Sequence, residues 1–417
     1  MSLSARLHEM RTGFSSTFWI ANTLELFERL AFYGTKAVLA VYLATKVGLE
    51  AEAGSLAGLF SGVIFSLPIV AGVFVDRYGF RRTLMACFAM FAAGYFLIGF
   101  AGLEAGRGIV DAIGTKAYII TVLMLTAIGG SLIKPCIVGT VAKTSKPDVK
   151  SLGFSIYYTL VNIGGAVGPI VALQVREGFG IQYVLIMSSL TSLLLFLGAF
   201  LFFKEPEHYD GSAGRQSSFG KVFRDMILVF KNVKFISFLV IFSGFWIMFW
   251  QIFYSFPFYV TDVLKFSQFE ILETVDAWTI ILVSIPITAL VKNWSPITAM
   301  TLGFAIASLS WIIIGLSPTI PAAIIGVGFF AIGEATQSPR FYEYVSSLAP
   351  KDQVGTFMGF AFLPVAIGSF VAGPLADWLR ATYLHTDPSM MWFTLAAIGG
   401  VSTVLMLLYN AFVVRRG

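Results

Sequence analysis

Charged residues are scarce in this sequence. Asp, Glu, Lys and Arg make up 12% of its 417 residues, whereas a soluble globular domain has about 25%. This deficit excludes an ordinary soluble domain. The net charge of +5 has the sign that is typical of nucleic-acid-binding proteins, but we do not expect so apolar a chain to bind nucleic acid.

Cysteine and histidine are scarce as well. The two cysteines, Cys87 and Cys136, fall inside apolar runs, so the sequence does not indicate a disulfide framework. The three histidines are scattered and form no metal-binding pattern. Serine, cysteine and histidine are not spaced as a nucleophile and its base, and the chain has no zinc motif and no Walker loop. We therefore expect no enzymatic activity, no metal and no cofactor.

Apolar residues are present in excess. They make up 57% of the sequence, enough for roughly twelve membrane-spanning helices of about 20 residues each. The apolar runs are too long for the strands of a membrane β-barrel and lack the alternating pattern of such strands. The sequence predicts an all-α membrane protein whose spans lie near residues 17–45, 53–75, 81–102, 117–142, 151–175, 181–203, 234–261, 269–291, 297–316, 319–347, 353–379 and 389–414.

These spans divide into two sets of six. The longest hydrophilic stretch, residues 204–233, separates residues 1–203 from residues 234–417, and we interpret it as a cytoplasmic linker between two six-helix bundles. If both chain ends are cytoplasmic, eighteen lysines and arginines lie on the cytoplasmic side and six lie outside. This bias predicts a multi-pass protein of the plasma (inner) membrane with both termini in the cytoplasm.

The two halves also repeat each other in sequence. The segment from Ala127 to Pro135 reappears 204 residues later as the segment from Ala331 to Pro339, which predicts that helices 4 and 10 are pseudo-equivalent. Lys134 and Glu334 then lie one helical turn apart on matching faces and carry opposite charges. A chance match among small apolar residues is the alternative.

A charged loop follows the second span. Residues 72–82 resemble the signature loop of the major facilitator superfamily, with a glycine, an Asp-Arg pair, a second glycine and two arginines in the same order. The resemblance implies a major facilitator fold of twelve helices in two pseudo-symmetric bundles. It also implies that Gly72, Asp76, Arg77 and Arg81 form a cytoplasmic gate. The alternative is a basic loop that only sets topology.

The first span carries four charged residues. Glu25, Glu28, Arg29 and Lys36 lie on one face of the helix, within an arc of about 100°. A charge at bilayer depth costs about 2.5 kcal/mol or more, so these side chains are expected to face one another or a water-filled cavity. Two acids beside one arginine can hold one proton between them, as a proton relay requires. A static charge network that braces helices is the alternative.

The same helix carries a second resemblance. Glu25-x-x-Glu28-Arg29, followed by Phe32-Tyr33-Gly34, resembles the signature of the proton-coupled oligopeptide transporters, and weaker matches lie in helices 4, 5, 7 and 10. The resemblance implies that Glu25, Glu28 and Arg29 couple protons to transport. It also implies a substrate-binding set in which two lysines face the substrate carboxylate and one acid receives its amino group: Lys36, Lys134, Tyr158, Asn162 and Glu334. We add Trp250 of helix 7 to the expected substrate-binding residues.

Some of these assignments remain open. Trp250 stands where family members carry an acid, so Lys36 lacks its usual partner, and Phe65 replaces a tyrosine of many members. Trp250 belongs to an aromatic stripe on helix 7 that packing explains as well as substrate contact does. Lys134 has an alternative role as the partner of a helix 1 carboxylate. Gly58-x-x-x-Gly62 indicates a close helix contact.

The combined features predict a proton-coupled symporter that imports di- and tripeptides or related zwitterionic solutes by alternating access. Its partners would be the solute, protons and the lipid bilayer, and we expect a monomer. One alternative is a proton-coupled exporter of drugs or metabolites, since Gly164-x-x-x-Gly168-Pro169 partly resembles an antiporter motif. Another is a solute sensor of the same fold.

Overall fold

The fold is helical throughout the part of the chain that the structure describes. The computed structural model describes residues 13–206, 219–349 and 354–414. Within these ranges the sole β interaction is an isolated bridge between Phe14 and Ser145, and the remaining regular structure is helical. The predicted all-α class is therefore confirmed.

Twelve long helical segments follow one another along the described residues. Ten helices are long and apolar enough to cross a membrane, and a helix pair bent by 50° makes an eleventh. The twelfth segment is the first helix, which has 30 residues but carries four charged side chains and is not among those eleven. We number the spans α1 (Ser16–Thr45), α2 (Glu50–Ser66 and Pro68–Tyr78), α3 (Phe80–Ala101), α4 (Thr115–Thr144), α5 (Pro147–Phe179), α6 (Gln182–Phe202), α7 (Val233–Asp262), α8 (Phe269–Val291), α9 (Pro296–Leu316), α10 (Ile320–Leu348), α11 (Phe357–Tyr383) and α12 (Pro388–Val414).

Local sequence explains where several of these helices bend or end. Pro68 lies at the bend of α2, where a residue without an N–H group interrupts the helical hydrogen bonds. Gly79 separates α2 from α3 and has φ of +84°, a conformation that favours glycine. At the start of α9, the Ser295 hydroxyl accepts a hydrogen bond from the Thr298 N–H, and Pro296 takes the first helical position.

Two shorter helices lie between the spans. Glu104–Ile113 connects α3 to α4, and Phe219–Phe230 precedes α7. The second of these falls in the stretch predicted as a linker, which is therefore partly helical. Residues 207–218 of the predicted linker lie outside the described residues.

The described residues form two compact units. Unit 1 contains the described parts of Met1–Thr35, Leu67–Val171 and Val175–Val222, and unit 2 contains Lys36–Ser66, Ala172–Gln174 and the described parts of Phe223–Gly417. The later part of α1 and the first segment of α2 thus pack within unit 2. The predicted domain boundaries at residues 203 and 234 divide the chain in sequence, whereas unit 2 contains segments from both sides of them. These boundaries stay a prediction.

The sequence repeat coincides with a repeated packing arrangement. A Cβ atom on Gly129 of α4 would lie 2.5 Å from the Met90 Cβ of α3. A Cβ atom on Gly333 of α10 would lie 2.6 Å from the Gly303 carbonyl oxygen of α9. In each unit a glycine at the same place in the repeat therefore lets its helix approach the preceding one closely, as small residues do in membrane proteins.

Small residues also bring α2 and α11 together within unit 2. A Cβ atom on Gly58 would lie 2.7 Å from the Ser369 carbonyl oxygen, and one on Gly62 would lie 2.5 Å from the Phe370 ring. The close helix contact predicted for this Gly-x-x-x-Gly pair is confirmed.

Candidate functional site

The charged face of α1 forms a buried network in unit 1. The Arg29 Nε lies 3.4 Å from the Glu25 Oε1 and donates a hydrogen bond to the Glu28 carboxylate. All three side chains are at most 4% exposed. Because the spacing of these residues turns them to one side of the helix, α1 places two acids around one guanidinium, as the sequence predicted.

Two residues from neighbouring helices complete the network. The Lys134 Nζ of α4 lies 3.3 Å from the Glu25 Oε1 and donates a hydrogen bond of 2.7 Å to the Tyr157 hydroxyl of α5. The Tyr157 hydroxyl lies 3.4 Å from the same Glu25 oxygen. We call Glu25, Glu28, Arg29, Lys134 and Tyr157 the unit 1 network. The pairing of Lys134 with a helix 1 carboxylate, which sequence analysis left as an alternative, is the arrangement that the structure shows.

The unit 1 network is balanced in charge, since it contains two carboxylates and two cations. Among the described residues, the Glu25 Oε2 and the Glu28 Oε1 are buried without a hydrogen-bond partner. Each acid therefore uses one oxygen for the network and has a second oxygen that can take a proton. A proton on Glu25 would neutralise the carboxylate that pairs with Lys134. Protonation of Glu25 would therefore release the Lys134 ammonium group from its ion pair.

The predicted substrate residues of α5 lie outside this network. Tyr158 is 51% exposed, and the Asn162 side-chain amide donates a hydrogen bond to the Tyr158 carbonyl one turn earlier in the same helix. Tyr157, rather than its neighbour Tyr158, contacts Lys134. The sequence did not indicate Tyr157, because two adjacent tyrosines give no sign of which one faces α4.

Lys36 lies in unit 2 within an aromatic cage. Its Nζ is 3.7 Å from the ring centre of Phe253, 4.1 Å from that of Trp250 and 4.8 Å from that of Phe249, all on α7. Its side chain is 4% exposed. Aromatic ring faces attract a desolvated ammonium group. Trp250, which stands where family members carry an acid, thus contacts Lys36 through its ring.

Acidic residues of α8, which sequence analysis did not single out, lie near this cage. Glu270, Glu273 and Asp276 are all buried, and Lys36 lies within electrostatic range of Glu273, Asp276 and Glu334 of α10. The signal was present in the sequence, since three acids spaced by three residues begin an otherwise apolar helix.

The loop between α2 and α3 is held by residues of unit 1. The Phe80 and Arg81 N–H groups each donate a 3.2 Å hydrogen bond to the Glu205 carboxylate, and the Arg81 guanidinium donates to the Phe200 carbonyl. Partial burial raises the pKa of Glu205, while these N–H groups and Arg81 oppose the rise. Glu205 is a further residue that sequence analysis missed.

The remaining predicted gate residues lie at the same loop. Arg77 is exposed and its guanidinium lies 5.5 Å from the Tyr78 ring centre, whereas Asp76 is half-buried. A Cβ atom on Gly72 would meet nothing within 4 Å. Asp76, Arg77 and Arg81 therefore lie at the same loop in the structure. No neighbouring atom requires a glycine at position 72.

A second polar contact joins α2 to α11 within unit 2. The Asp377 carboxylate accepts hydrogen bonds from the N–H groups of Gly54 and Ser55, at 2.8 and 2.7 Å, and from the Ser55 hydroxyl at 2.6 Å. Arg380 pairs with Asp377 at 3.1 Å and donates a 2.6 Å hydrogen bond to the Glu50 carbonyl. We call these five residues the α2–α11 latch. It places a negative charge at the first turn of the α-helical part of α2, Ala53–Ser66.

Known proteins share this architecture. The sequence profile of the Major Facilitator Superfamily matches residues 23–373. Dipeptide and tripeptide permease B of Aliivibrio fischeri (strain MJ11) is 30% identical over 171 residues, which cover 40% of this chain and 32% of that protein. Multidrug resistance protein MdtH of Photorhabdus laumondii is 22% identical over 392 residues, which cover 93% of this chain and 92% of that protein.

Solved structures agree with the fold. A crystal structure described as the peptide transporter POT in complex with sulfate has a TM-score of 0.78 and 18% sequence identity, and the match covers 96% of this chain and 94% of that chain. At such identity the likeness shows the fold. The chain matches about a third of the length of the curated peptide permeases.

Proposed function

Because this chain belongs to the Major Facilitator Superfamily, we propose that it is a proton-coupled symporter that imports di- and tripeptides or related zwitterionic solutes. The observation that carries the proposal is the unit 1 network, in which Arg29 and Lys134 share the carboxylate of Glu25. Buried charges in a membrane span are costly and mark proton or solute pathways. The partial likeness to a permease named for dipeptides and tripeptides supports the substrate class.

Protonation of Glu25 couples the proton to the solute. While Glu25 is ionised, the Lys134 ammonium is held between Glu25 and the Tyr157 hydroxyl. Once Glu25 binds a proton, its charge is lost and Lys134 can bind the carboxylate of a substrate instead. When Glu25 releases the proton, it takes Lys134 back and the substrate leaves. Glu28 also pairs with Arg29 and is the second acid of this exchange.

The remaining substrate contacts follow from the family resemblance. Glu334 is an acid suited to a substrate amino group, and Lys36 with Trp250 forms a second cationic site. Tyr158 has an exposed ring, and Asn162 lies one turn further along α5. These residues would orient the solute, while the unit 1 network moves the proton.

Two contacts serve as gates in an alternating-access cycle. The loop of Asp76, Arg77 and Arg81, with Gly72 preceding it, acts at the cytoplasmic side. The α2–α11 latch acts at the opposite side of the membrane. We propose further that both termini lie in the cytoplasm and that the chain acts as a monomer in the plasma membrane.

Uptake of labelled dipeptide into proteoliposomes with an imposed pH gradient tests the proposal. We expect uptake in the wild type to depend on an acidic exterior, and we expect Glu25→Gln to abolish gradient-driven uptake while counterflow exchange of the peptide persists. Glu104→Gln, which changes an exposed acid of the helix between α3 and α4, is the matched control. Gradient-driven uptake by Glu25→Gln at the wild-type rate would overturn the coupling role.

A second candidate function is proton-coupled export of drugs or metabolites. The multidrug resistance protein covers nearly the whole chain, whereas the peptide permease covers 40% of it. Gly164 and Gly168 of the partial antiporter motif bring α5 close to α1, since a Cβ on Gly168 would lie 2.6 Å from the Leu30 carbonyl oxygen. Flux direction separates the two functions: solute that leaves an acid-exterior vesicle as protons enter supports export.

A further inference from the structure

A second group of buried carboxylates lies in unit 2, apart from the network that the proposed function uses. Glu273 and Asp276 of α8 are 3% and 8% exposed, and the half-buried Glu334 lies in the adjacent helix, α10. We call these three residues the α8–α10 acidic cluster. The later part of α8 is exposed at Leu282 and Ile285, as a lipid-facing helix surface is. The acids therefore lie at one end of an otherwise apolar helix.

The oxygens of this cluster are short of hydrogen-bond donors. Both carboxylate oxygens of Glu273, the Asp276 Oδ1 and the Glu334 Oε2 are buried and have no hydrogen-bond partner within the described ranges 13–206, 219–349 and 354–414. Ionised carboxylates in such surroundings are costly unless a cation or a donor neutralises them. The cluster therefore needs positive charge, either from neighbouring side chains or from a bound species.

The surrounding helices supply less positive charge than the cluster needs. Lys36 of α1 acts electrostatically on all three acids, but Glu270 adds a further acid on α8. The segment Phe256–Asp262, which packs against α8, contains one acid, a tyrosine and no basic residue. Among the described residues, the three carboxylates of the cluster, with Glu270 acting on Glu273 as a fourth acid, thus have one ammonium, that of Lys36, within electrostatic range.

The other groups on α10 do not change this balance. Arg340 lies at the opposite end of α8, where it pairs with Glu343 at 2.6 Å and donates to the Val291 carbonyl. Tyr342 interacts electrostatically with Glu334 but is a neutral phenol.

A metal ion does not fit the cluster, because no three metal-ligating side chains of the described residues converge on one point. The proton is the cation that needs no converging ligand shell.

We propose that Glu273 and Asp276 form a second proton-binding site, and that a proton bound there is carried in each transport cycle in addition to the proton of the unit 1 network. On binding, an O–H bond forms on one carboxylate, and Lys36 loses one of its counter-charges. The Lys36 ammonium can then pair with a substrate carboxylate. On release, the proton leaves for water, and Lys36 returns to the ionised acid. This inference rests on the proposed function for its role in transport, but not for the binding of the proton.

The binding step is tested on purified protein without substrate. Infrared difference spectra between acidic and alkaline buffer report each carboxyl group that loses its proton. We expect a protonated-carboxyl band in the wild type whose intensity falls in Asp276→Asn and in Glu273→Gln without vanishing, because Glu25 also binds a proton. The band should keep its intensity in Asp276→Glu and in Glu104→Gln. Bands of equal intensity in the wild type and in both neutral variants would overturn the proposal.

The transport role is tested by the proton-to-peptide ratio, measured from the membrane potential at which net flux reverses. We expect Asp276→Asn to lower the ratio by one proton per peptide, and Asp276→Glu to restore it. An unchanged ratio together with weaker binding of the peptide amine would overturn the proposal, because α8 would then bind the substrate directly. If the wild type carries no peptide yet shows the infrared band, the proposed function fails while the proton site stands.

Discussion

Each unit buries a group of charged residues, and the two groups differ in charge balance. In unit 1, two carboxylates face the cations Arg29 and Lys134 at distances of an ion pair. In unit 2, three carboxylates lie within electrostatic range of one ammonium, that of Lys36, whose close neighbours include three aromatic rings. A balanced network has a cation for each of its acids, whereas an acid-rich group has fewer cations than carboxylates, and protons can neutralise the excess. The same helix, α1, supplies cations to both groups.

The largest expected effect comes from removing a cation from the balanced network. Arg29→Met leaves two buried acids without their guanidinium, and we expect it to lower the free energy of unfolding by about 3–5 kcal/mol, as for a broken buried ion pair. Lys36→Met likewise replaces a buried cation with an apolar side chain in unit 2, and we expect a smaller loss because protons can neutralise the acids near Lys36. Thermal unfolding in detergent at neutral pH measures both variants.

A second measurement sharpens the result for Arg29. In the double variant Arg29→Met with Glu28→Gln, one of the stranded acids is neutral, so part of the lost stability should return. Equal losses for Arg29→Met and Lys36→Met would contradict the difference in charge balance between the two units.

A smaller effect is expected from the tyrosine of the unit 1 network. Tyr157→Phe removes the hydroxyl that accepts the Lys134 hydrogen bond, and we expect a loss of about 1.5–3 kcal/mol because the bond involves a charged group. Uptake should then shift its pH dependence, since Lys134 would be held by Glu25 alone. Tyr158→Phe is the matched control, and a pH profile that moves in the control but not in Tyr157→Phe would contradict this assignment.

The charged face of α1 was predictable from sequence because its residues lie within one helix. Periodicity places Glu25, Glu28 and Arg29 on one side, and the structure shows them in contact. A single helix has a fixed relation between spacing and direction, so no knowledge of neighbouring helices was needed. The predicted twelve-helix fold had the same basis, since the lengths of the apolar runs set the spans.

Contacts between helices were harder to predict. Whether Tyr157 or Tyr158 faces α4 depends on how α5 is rotated in the bundle, which the two adjacent residues do not reveal. Glu205 accepts hydrogen bonds from backbone N–H groups more than 120 positions earlier, and backbone groups carry no sequence signal. The acids of α8 were visible as charges in an apolar run, but their closeness to Lys36 depends on packing across α1, α8 and α10.

The smallest expected effect compares one aromatic ring in each unit. Phe253 lies 3.7 Å from the Lys36 Nζ, and Phe32 lies 4.7 Å from the Arg29 guanidinium carbon; both rings are buried. Replacing either with leucine keeps most of the volume and removes a cation–π contact of about 0.5–2 kcal/mol. Because Arg29 retains two carboxylates, we expect Phe253→Leu to lower the free energy of unfolding more than Phe32→Leu. Denaturant titrations of the two variants measure the difference, and the reverse order would mean that the cage contributes little to holding Lys36.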